Sequence, residues 1–239
     1  FNKANSAYST GGPEQAIKML NKNLDLTIEK YISVDFAAMT DAVDLLGGID
    51  IDVDEAEIDH LNNYMVETSK VTGVSSKPLT HTGLQTLDGV QATSYCRIRY
   101  TAGDDFKRTE RQREVLLKLL DKVKEMSFED MDRLATRLLP LLTHNVPESE
   151  FWGLLAKAPT LINYKIVSDR IPYDGMYHSY NGDLVPDWES TVRKLKETIY
   201  GADVLDDEGN VVTSLFKVCN MFSGKIAVWK QSAAVRISL

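Results

Sequence analysis

A layered α/β fold, with helices flanking a central mixed sheet, is predicted by three features of the sequence. Ile49, Ile51 and Val53 alternate with Asp50, Asp52 and Asp54, the period of a half-buried strand with an acidic outer face. Phe36, Met39, Val43 and Leu46, and later Val115, Leu119 and Val123, recur at the spacing of helices that bury one stripe. Runs rich in β-branched and aromatic residues return at Tyr31 to Val34, Ser94 to Tyr100 and Tyr164 to Ile171, so strands interleave with helices along the chain.

Each element follows from a local signal. Phe1 to Tyr8 has no periodicity; Gly11 and Gly12 then turn the chain, and Pro13 suits the first position of a helix with Ala16, Ile17 and Leu20 inward. Gly47-Gly48 ends the Phe36 helix. Asp54 to Thr82 is a polar excursion holding a helix through Ile58, Leu61 and Met65. Thr82 to Ser94 reads as a helix interrupted at Gly89, feeding the strand at Ser94 to Tyr100. A long helix follows from Phe106 to Met126; Ser127 caps another with Phe128, Met131, Leu134 and Leu138 inward. Pro147 or Ser149 opens a third, carrying Phe151, Leu154 and Leu155. Pro186-Asp187-Trp188 starts a helix through Val192, Leu195 and Ile199 that Gly201 stops. Beyond Ala202, Asp206 to Asn210 is a turn, and Val211 to Leu239 carries Lys217, Lys225, Lys230 and Arg236 without one acid. That tail reads as an extra hairpin, an interaction arm or a segment without a definite register, and the sequence does not decide among them.

With 239 residues and 43% hydrophobic content, the chain can bury a core as one domain of about 200 residues plus an extension. A net charge of -8 excludes a nucleic-acid binder whose whole surface is basic. Two cysteines, Cys96 and Cys219, supply neither a disulfide framework nor a cysteine-rich zinc site, and Cys96 reads as a small buried residue. His60, His81, His144 and His178 lack ligand spacing, and the Asp50/Asp52/Asp54 row lies on a solvent face rather than in a calcium loop. No apolar run approaches the roughly 18 residues of a membrane span. The sequence opens at Phe1 without a methionine or basic leader, so it is read as a piece whose anchor would lie upstream.

The chemistry concentrates between Leu84 and Val123. In a strand over Ser94 to Tyr100, Arg97 and Arg99 sit at i and i+2 and project from one face, their Cα atoms roughly 6.5 Å apart. Two guanidinium forks at that distance converge on one diphosphate, whereas on a helix they would point about 200° apart. The stripe of the next helix, followed back from Val115, reaches Arg111, Gln112 and Arg108, so its inward face begins with cations. Cations in a first turn oppose the helix dipole, and burying them requires an anion. Asp104, Asp105 and Glu110, or a bound phosphate, are the candidates.

At these residues the sequence resembles the LytR-CpsA-Psr proteins of bacterial cell-wall assembly. Gly83, Leu87-Asp88-Gly89, Gln91-Ala92, Tyr95, Arg97-x-Arg99, Asp105, Arg108 and Arg111-Gln112 look like that family's hallmark segment, which fixes residue type at about ten spaced positions. The run V-D-L-L-G-G-I-D-I-D-V is similar to the family too, as are Lys3, Asn5, Ala7-Tyr8 and Gly11-Gly12.

The resemblance implies transfer of an anionic glycopolymer from a polyprenyl-diphosphate carrier to a cell-wall peptidoglycan acceptor, forming a phosphodiester. It implies that Arg97, Arg99, Arg108, Arg111, Gln112, Lys3 and Asn5 bind the diphosphate, with Arg97, Arg99 and Asp105 in catalytic roles. Magnesium is the implied cofactor of the complete domain, its ligands lying upstream of Phe1. The implied location is the extracytoplasmic face of the bacterial membrane, reached through an anchor outside this sequence, with no nucleic-acid partner. On this reading residues 1–201 are the family domain without its opening strand, and residues 202–239 are an extension. Such a piece is expected to bind diphosphate while transferring glycopolymer poorly. A non-catalytic polyprenyl-diphosphate-binding module and an envelope-related regulatory protein are the alternatives.

Overall fold

The computed structural model describes residues 3–99, 104–161, 166–181 and 183–201, and within 202–239 only short strands. The elements run α1 (Ser6–Leu24), β1 (Lys30–Ser33), α2 (Phe36–Leu45), β2 (Ile49–Val53), α3 (Glu55–Thr72), β3 (Gly83–Leu87), α4 (Gly89–Tyr95), α5 (Asp104–Lys124) and α6 (Phe128–Leu138). They continue with β4 (Thr143–His144), α7 (Glu148–Leu155), α8 (Ala158–Leu161), β5 (Val167–Ile171), β6 (Tyr177–Tyr180), β7 (Asp183–Pro186) and α9 (Trp188–Lys196). Within the tail lie β8 (Val204–Leu205), β9 (Val211–Val212), β10 (Lys217–Met221), β11 (Ala227–Lys230) and β12 (Ala234–Arg236). Strands alternate with helices and pair in both senses, as the α/β expectation requires. The chain divides into two compact units, Phe1–Ser33 with His144–Leu239, and Val34–Thr143.

In the first unit, Ala16, Ile17, Leu20 and Leu24 of α1 are buried with Ile171, Tyr173 and Leu195. Full burial of such a side chain contributes about 1.5–3 kcal/mol. The helix begins earlier than the sequence suggested: residues from Ser6 are already helical, and the chain kinks where Gly11 and Gly12 leave helical geometry ahead of Pro13. The glycines therefore join two helical pieces, with Gly12 at φ +65°. The tail supplies strands to this unit, β11 pairing antiparallel with β1 and β10 parallel with β5. Tyr164 and the turn at Asp206 to Asn210 lie outside the described residues.

The second unit carries the arginine segment. Asp35 starts α2 by accepting from the Ala38 N–H at 2.9 Å. Gly47 and Gly48, both at positive φ, turn the chain into β2, whose Ile49, Ile51 and Val53 are fully buried as the alternation required. Leu61 and Met65 of α3, Val90 of α4 and Val115 of α5 are buried in the same unit.

Three expectations are corrected here. Residues 83–87 form strand β3 rather than helix, because β2 offers a free ladder and Gly83 to Leu87 pairs along it, Val53 opposite Gly83 and Ile49 opposite Leu87. The helix begins only at Asp88, whose carboxylate accepts from the Gln91 N–H while the Gln91 side chain accepts from the Asp88 N–H, each at 2.9 Å. That capping box also removes the strand expected at Ser94 to Tyr100. The helix it launches runs through Tyr95, residues 96–97 turn, residues 98–99 are irregular, and Tyr100 lies outside the described residues. β-propensity reports fit to a half-buried pleat, whereas Ser94 is fully buried and donates to the Val90 carbonyl one helical turn back at 2.7 Å. Finally, Phe128 of α6 is half-exposed rather than inward, Met131 being the buried residue of that helix.

Candidate functional site

The connection from α4 to α5 holds Arg97 and Arg99, with Ile98 between them fully buried. The Arg97 guanidinium lies over the Phe36 ring at 4.7 Å and the Tyr64 ring at 5.0 Å. It donates to Thr68 Oγ1 at 3.0 Å from Nη1, and to Glu67 Oε2 at 2.5 Å from Nη2. Arg99 is exposed.

The first turns of α5 hold this connection from behind. Arg108, Arg111 and Gln112 are all buried, as their place on the Val115 and Leu119 stripe predicted. Gln112 Nε2 donates to the Cys96 carbonyl at 3.3 Å, and Arg111 Nη1 to the Ile98 carbonyl at 3.4 Å. Arg97 and Arg99 therefore stand on a backbone braced by two further members of the predicted set. Arg111 Nε is 2.6 Å from Glu57 Oε1, an ion pair buried on both sides. Among the described residues, Glu57 of α3 is an anion that compensates Arg111, while Glu110 pairs with Lys107 on the surface at 3.0 Å. Asp105 lies in α5, its side chain outside the described residues. Lys3 and Asn5 belong to the first unit, Lys3 pairing with Asp183 at 2.9 Å and Asn5 preceding α1 as an exposed residue.

Sequence reasoning missed Glu57, Glu67 and Thr68. Glu57 had a readable signal, since Asp54 three residues ahead makes a capping box in which Glu57 Oε2 accepts from the Asp54 N–H at 3.1 Å. Its other oxygen is the one that meets Arg111. Glu67 and Thr68 carry no motif; their place depends on α3 packing against α4.

Tyr95 donates to Glu114 at 3.0 Å, and burial, then the Glu114 charge, push its phenol well above the usual range. Burial, and secondarily Glu114, push the Cys96 thiol up to about 12. A buried neutral thiol is a poor nucleophile, so Cys96 should resist iodoacetamide at pH 8 in the native protein and react only on unfolding. Peptide-resolved mass spectrometry checks this; native labelling of Cys96 at the rate of a free cysteine would contradict the burial.

Among the described residues no three His, Cys, Asp or Glu side chains gather to hold one metal ion. Asp50, Asp52 and Asp54 are exposed, and Asp50 accepts from Thr86 Oγ1 at 2.6 Å. The magnesium that the resemblance implies has its ligands assigned upstream of Phe1, so these residues do not bear on it. No described helix is long and apolar enough to cross a membrane.

Residues 1–197 match the model of the LytR_cpsA_psr family. The teichoic acid transferase TagV of Bacillus subtilis (strain 168), in full a polyisoprenyl-teichoic acid–peptidoglycan teichoic acid transferase, is 30% identical over 200 residues, covering 82% of this chain and 49% of TagV. Regulatory protein MsrR of Staphylococcus aureus (strain COL) is 33% identical over 150 residues, covering 62% of this chain and 41% of MsrR. The structure of TagT bound to LIIa-WTA, TagT being a B. subtilis protein, superposes with a TM-score of 0.57 at 25% identity, covering 82% of this chain and 70% of that one. The chain spans about half the length of the curated relatives it matches. A family model matched along most of the sequence, together with the hallmark arginines on their braced connection, makes this chain a member of the LytR_cpsA_psr family.

Proposed function

We propose that the chain is a phosphotransferase domain that moves an anionic glycopolymer from a polyprenyl-diphosphate carrier to peptidoglycan. The observation that carries this reading is the α4–α5 connection, an arginine pair on a backbone fixed by Arg111 and Gln112 in a protein of net charge -8. TagV, 30% identical along 82% of the chain, is named as a transferase of teichoic acid to peptidoglycan, which supports the same substrate class.

In this reaction an acceptor hydroxyl oxygen forms a bond to the sugar-proximal phosphorus. The bridging P–O bond to the carrier phosphate breaks, its electron pair leaves on polyprenyl monophosphate, and the hydroxyl proton passes to a base. Phosphoryl transfer depends on positioning and charge neutralisation, the tasks that fixed guanidinium groups perform. Arg99, which is exposed, and Arg97 are the groups assigned to the diphosphate oxygens. Arg111 and Gln112 act through the backbone they hold, and Asp105 is assigned to orienting the acceptor. Magnesium is a requirement to be assayed, and the site of action is the outer face of the membrane.

Arg99→Ala is the direct test. A charge-assisted hydrogen bond is worth about 1.5–3 kcal/mol, so affinity for farnesyl diphosphate should fall about 10- to 100-fold. Stability should stay within about 0.5 kcal/mol, because Arg99 is a surface residue. Calorimetric titration and denaturant unfolding read the two; unchanged affinity with intact fold would overturn the assignment. Transfer of lipid-linked polymer to peptidoglycan fragments, with and without magnesium, separates the transferase from a binding module. The regulatory label carried by MsrR favours a second reading, which predicts salt-dependent DNA binding, and the acidic composition opposes it.

A further inference from the structure

Arg97 meets three groups carried on α2 and α3. The Phe36 and Tyr64 rings lie at 4.7 and 5.0 Å from its guanidinium, and buried Thr68 takes Nη1 at 3.0 Å. Thr68 is itself anchored by Ser94 Oγ at 3.0 Å and by its own bond to the Tyr64 carbonyl at 2.9 Å. The fourth partner differs in kind. Glu67 meets Nη2 with a side chain that is 65% exposed, against 14% for Arg97. Its stem is free to swing into water, and an exposed pair of this sort adds little to stability.

A guanidinium offers the same in-plane fork to a carboxylate and to a phosphoryl group, with donors spaced for two oxygens. The Glu67 carboxylate therefore occupies the place at which a phosphate oxygen would meet Arg97. We propose that Glu67 is a displaceable counter-ion: it keeps the Arg97 guanidinium oriented until the diphosphate of the ligand takes its position on Nη2. Phe36, Tyr64 and Thr68 are positioning residues that keep the guanidinium in place while the anion exchanges. Turnover benefits, since a carboxylate that returns to Arg97 competes with the product phosphate and promotes its release. This inference rests on the diphosphate-binding reading and adds to it a competitor built into the protein.

The test compares the parent chain with Glu67→Gln by calorimetric titration of inorganic diphosphate and of farnesyl diphosphate. Removing a competing exposed charge should tighten inorganic diphosphate by about two- to five-fold at low ionic strength, with the gain shrinking as salt rises. Thermal unfolding should be unchanged, which a merely structural role for Glu67 would not give. Where Glu67→Gln shows that gain, tighter binding of farnesyl than of inorganic diphosphate in both proteins identifies a lipid headgroup as the source of the anion, and equal affinity for the two probes identifies free diphosphate; the counter-ion role stands in either case. If the parent binds diphosphate and Glu67→Gln binds it equally or more weakly, the counter-ion role is overturned while the diphosphate reading stands. If neither protein binds either probe while both remain folded, both fail.

Discussion

Arg111→Ala should lose about 3–5 kcal/mol of stability, the effect of breaking a buried ion pair by removing one partner. Arg111 and Glu57 are 2.6 Å apart with side chains only 5% and 8% exposed, so removing the guanidinium leaves a carboxylate in the core without its cation. Three further structures depend on the pair. Glu57 closes the capping box of α3, Arg111 holds the Ile98 carbonyl, and its guanidinium lies 5.9 Å from the Tyr95 ring. Glu57→Gln should be milder than Glu57→Ala, because an amide oxygen still accepts from the Asp54 N–H. The double variant Arg111→Met/Glu57→Gln should recover a good part of the loss, since no uncompensated charge remains. Denaturant unfolding of the four variants measures this; a loss below about 1 kcal/mol for Arg111→Ala would show that the pair is not buried in solution.

The same geometry qualifies any binding experiment on α5. Arg111→Ala frees the Ile98 carbonyl and Gln112→Ala frees that of Cys96, so either variant loosens the backbone on which Arg97 and Arg99 stand. Weaker diphosphate binding in these variants follows from lost bracing alone and does not require ligand contact. Arg99 and Glu67, whose side chains are exposed, are the positions at which a change in affinity reports on the ligand directly.

Helical stripes were legible in the sequence wherever burial is repeated over several turns. Val115 and Leu119 locate the buried face of α5, and the same spacing correctly turned Arg108, Arg111 and Gln112 inward. The alternation at Ile49 to Val53 specified β2 because all three apolar side chains meet the core. Short segments were less legible, since their state depends on partners distant in sequence. Gly83 to Leu87 becomes a strand because β2 lies beside it, and Ser94-Tyr95 becomes helix because the Asp88–Gln91 capping box has already started one. The expected two-pronged clamp at Arg97 and Arg99 was built on strand geometry that this capping box removes. What replaces it depends on Phe36, Tyr64, Glu67 and Thr68, none of which has a local pattern that places it beside Arg97.

Gly89→Ala should be the most damaging small substitution in the second unit. A Cβ added at Gly89 would lie 2.2 Å from the Thr40 carbonyl oxygen, 2.7 Å from its carbon and 2.8 Å from Thr40 Cγ2. Two of these are backbone atoms of α2, which cannot rotate aside, so α2 and α4 must separate. Their separation strains the bond from the Gly89 N–H to Asp44 Oδ1 at 2.7 Å and the buried Thr40–Thr93 hydroxyl contact at 3.1 Å. Overpacking of this kind costs about 1–3 kcal/mol, and contact with rigid backbone places Gly89→Ala at the upper end or beyond. Gly47→Ala is the informative comparison. Gly47 sits at φ +75° with nothing within 4 Å of an added Cβ, so its substitution meets only the left-handed backbone penalty of about 1–2 kcal/mol. Chemical denaturation should therefore rank Gly89→Ala below Gly47→Ala. Because α4 leads directly into Arg97 and Arg99, the Gly89 variant should also bind diphosphate more weakly than its residual fold predicts. A Gly89→Ala protein as stable as the parent would mean that α2 and α4 are further apart than these distances state.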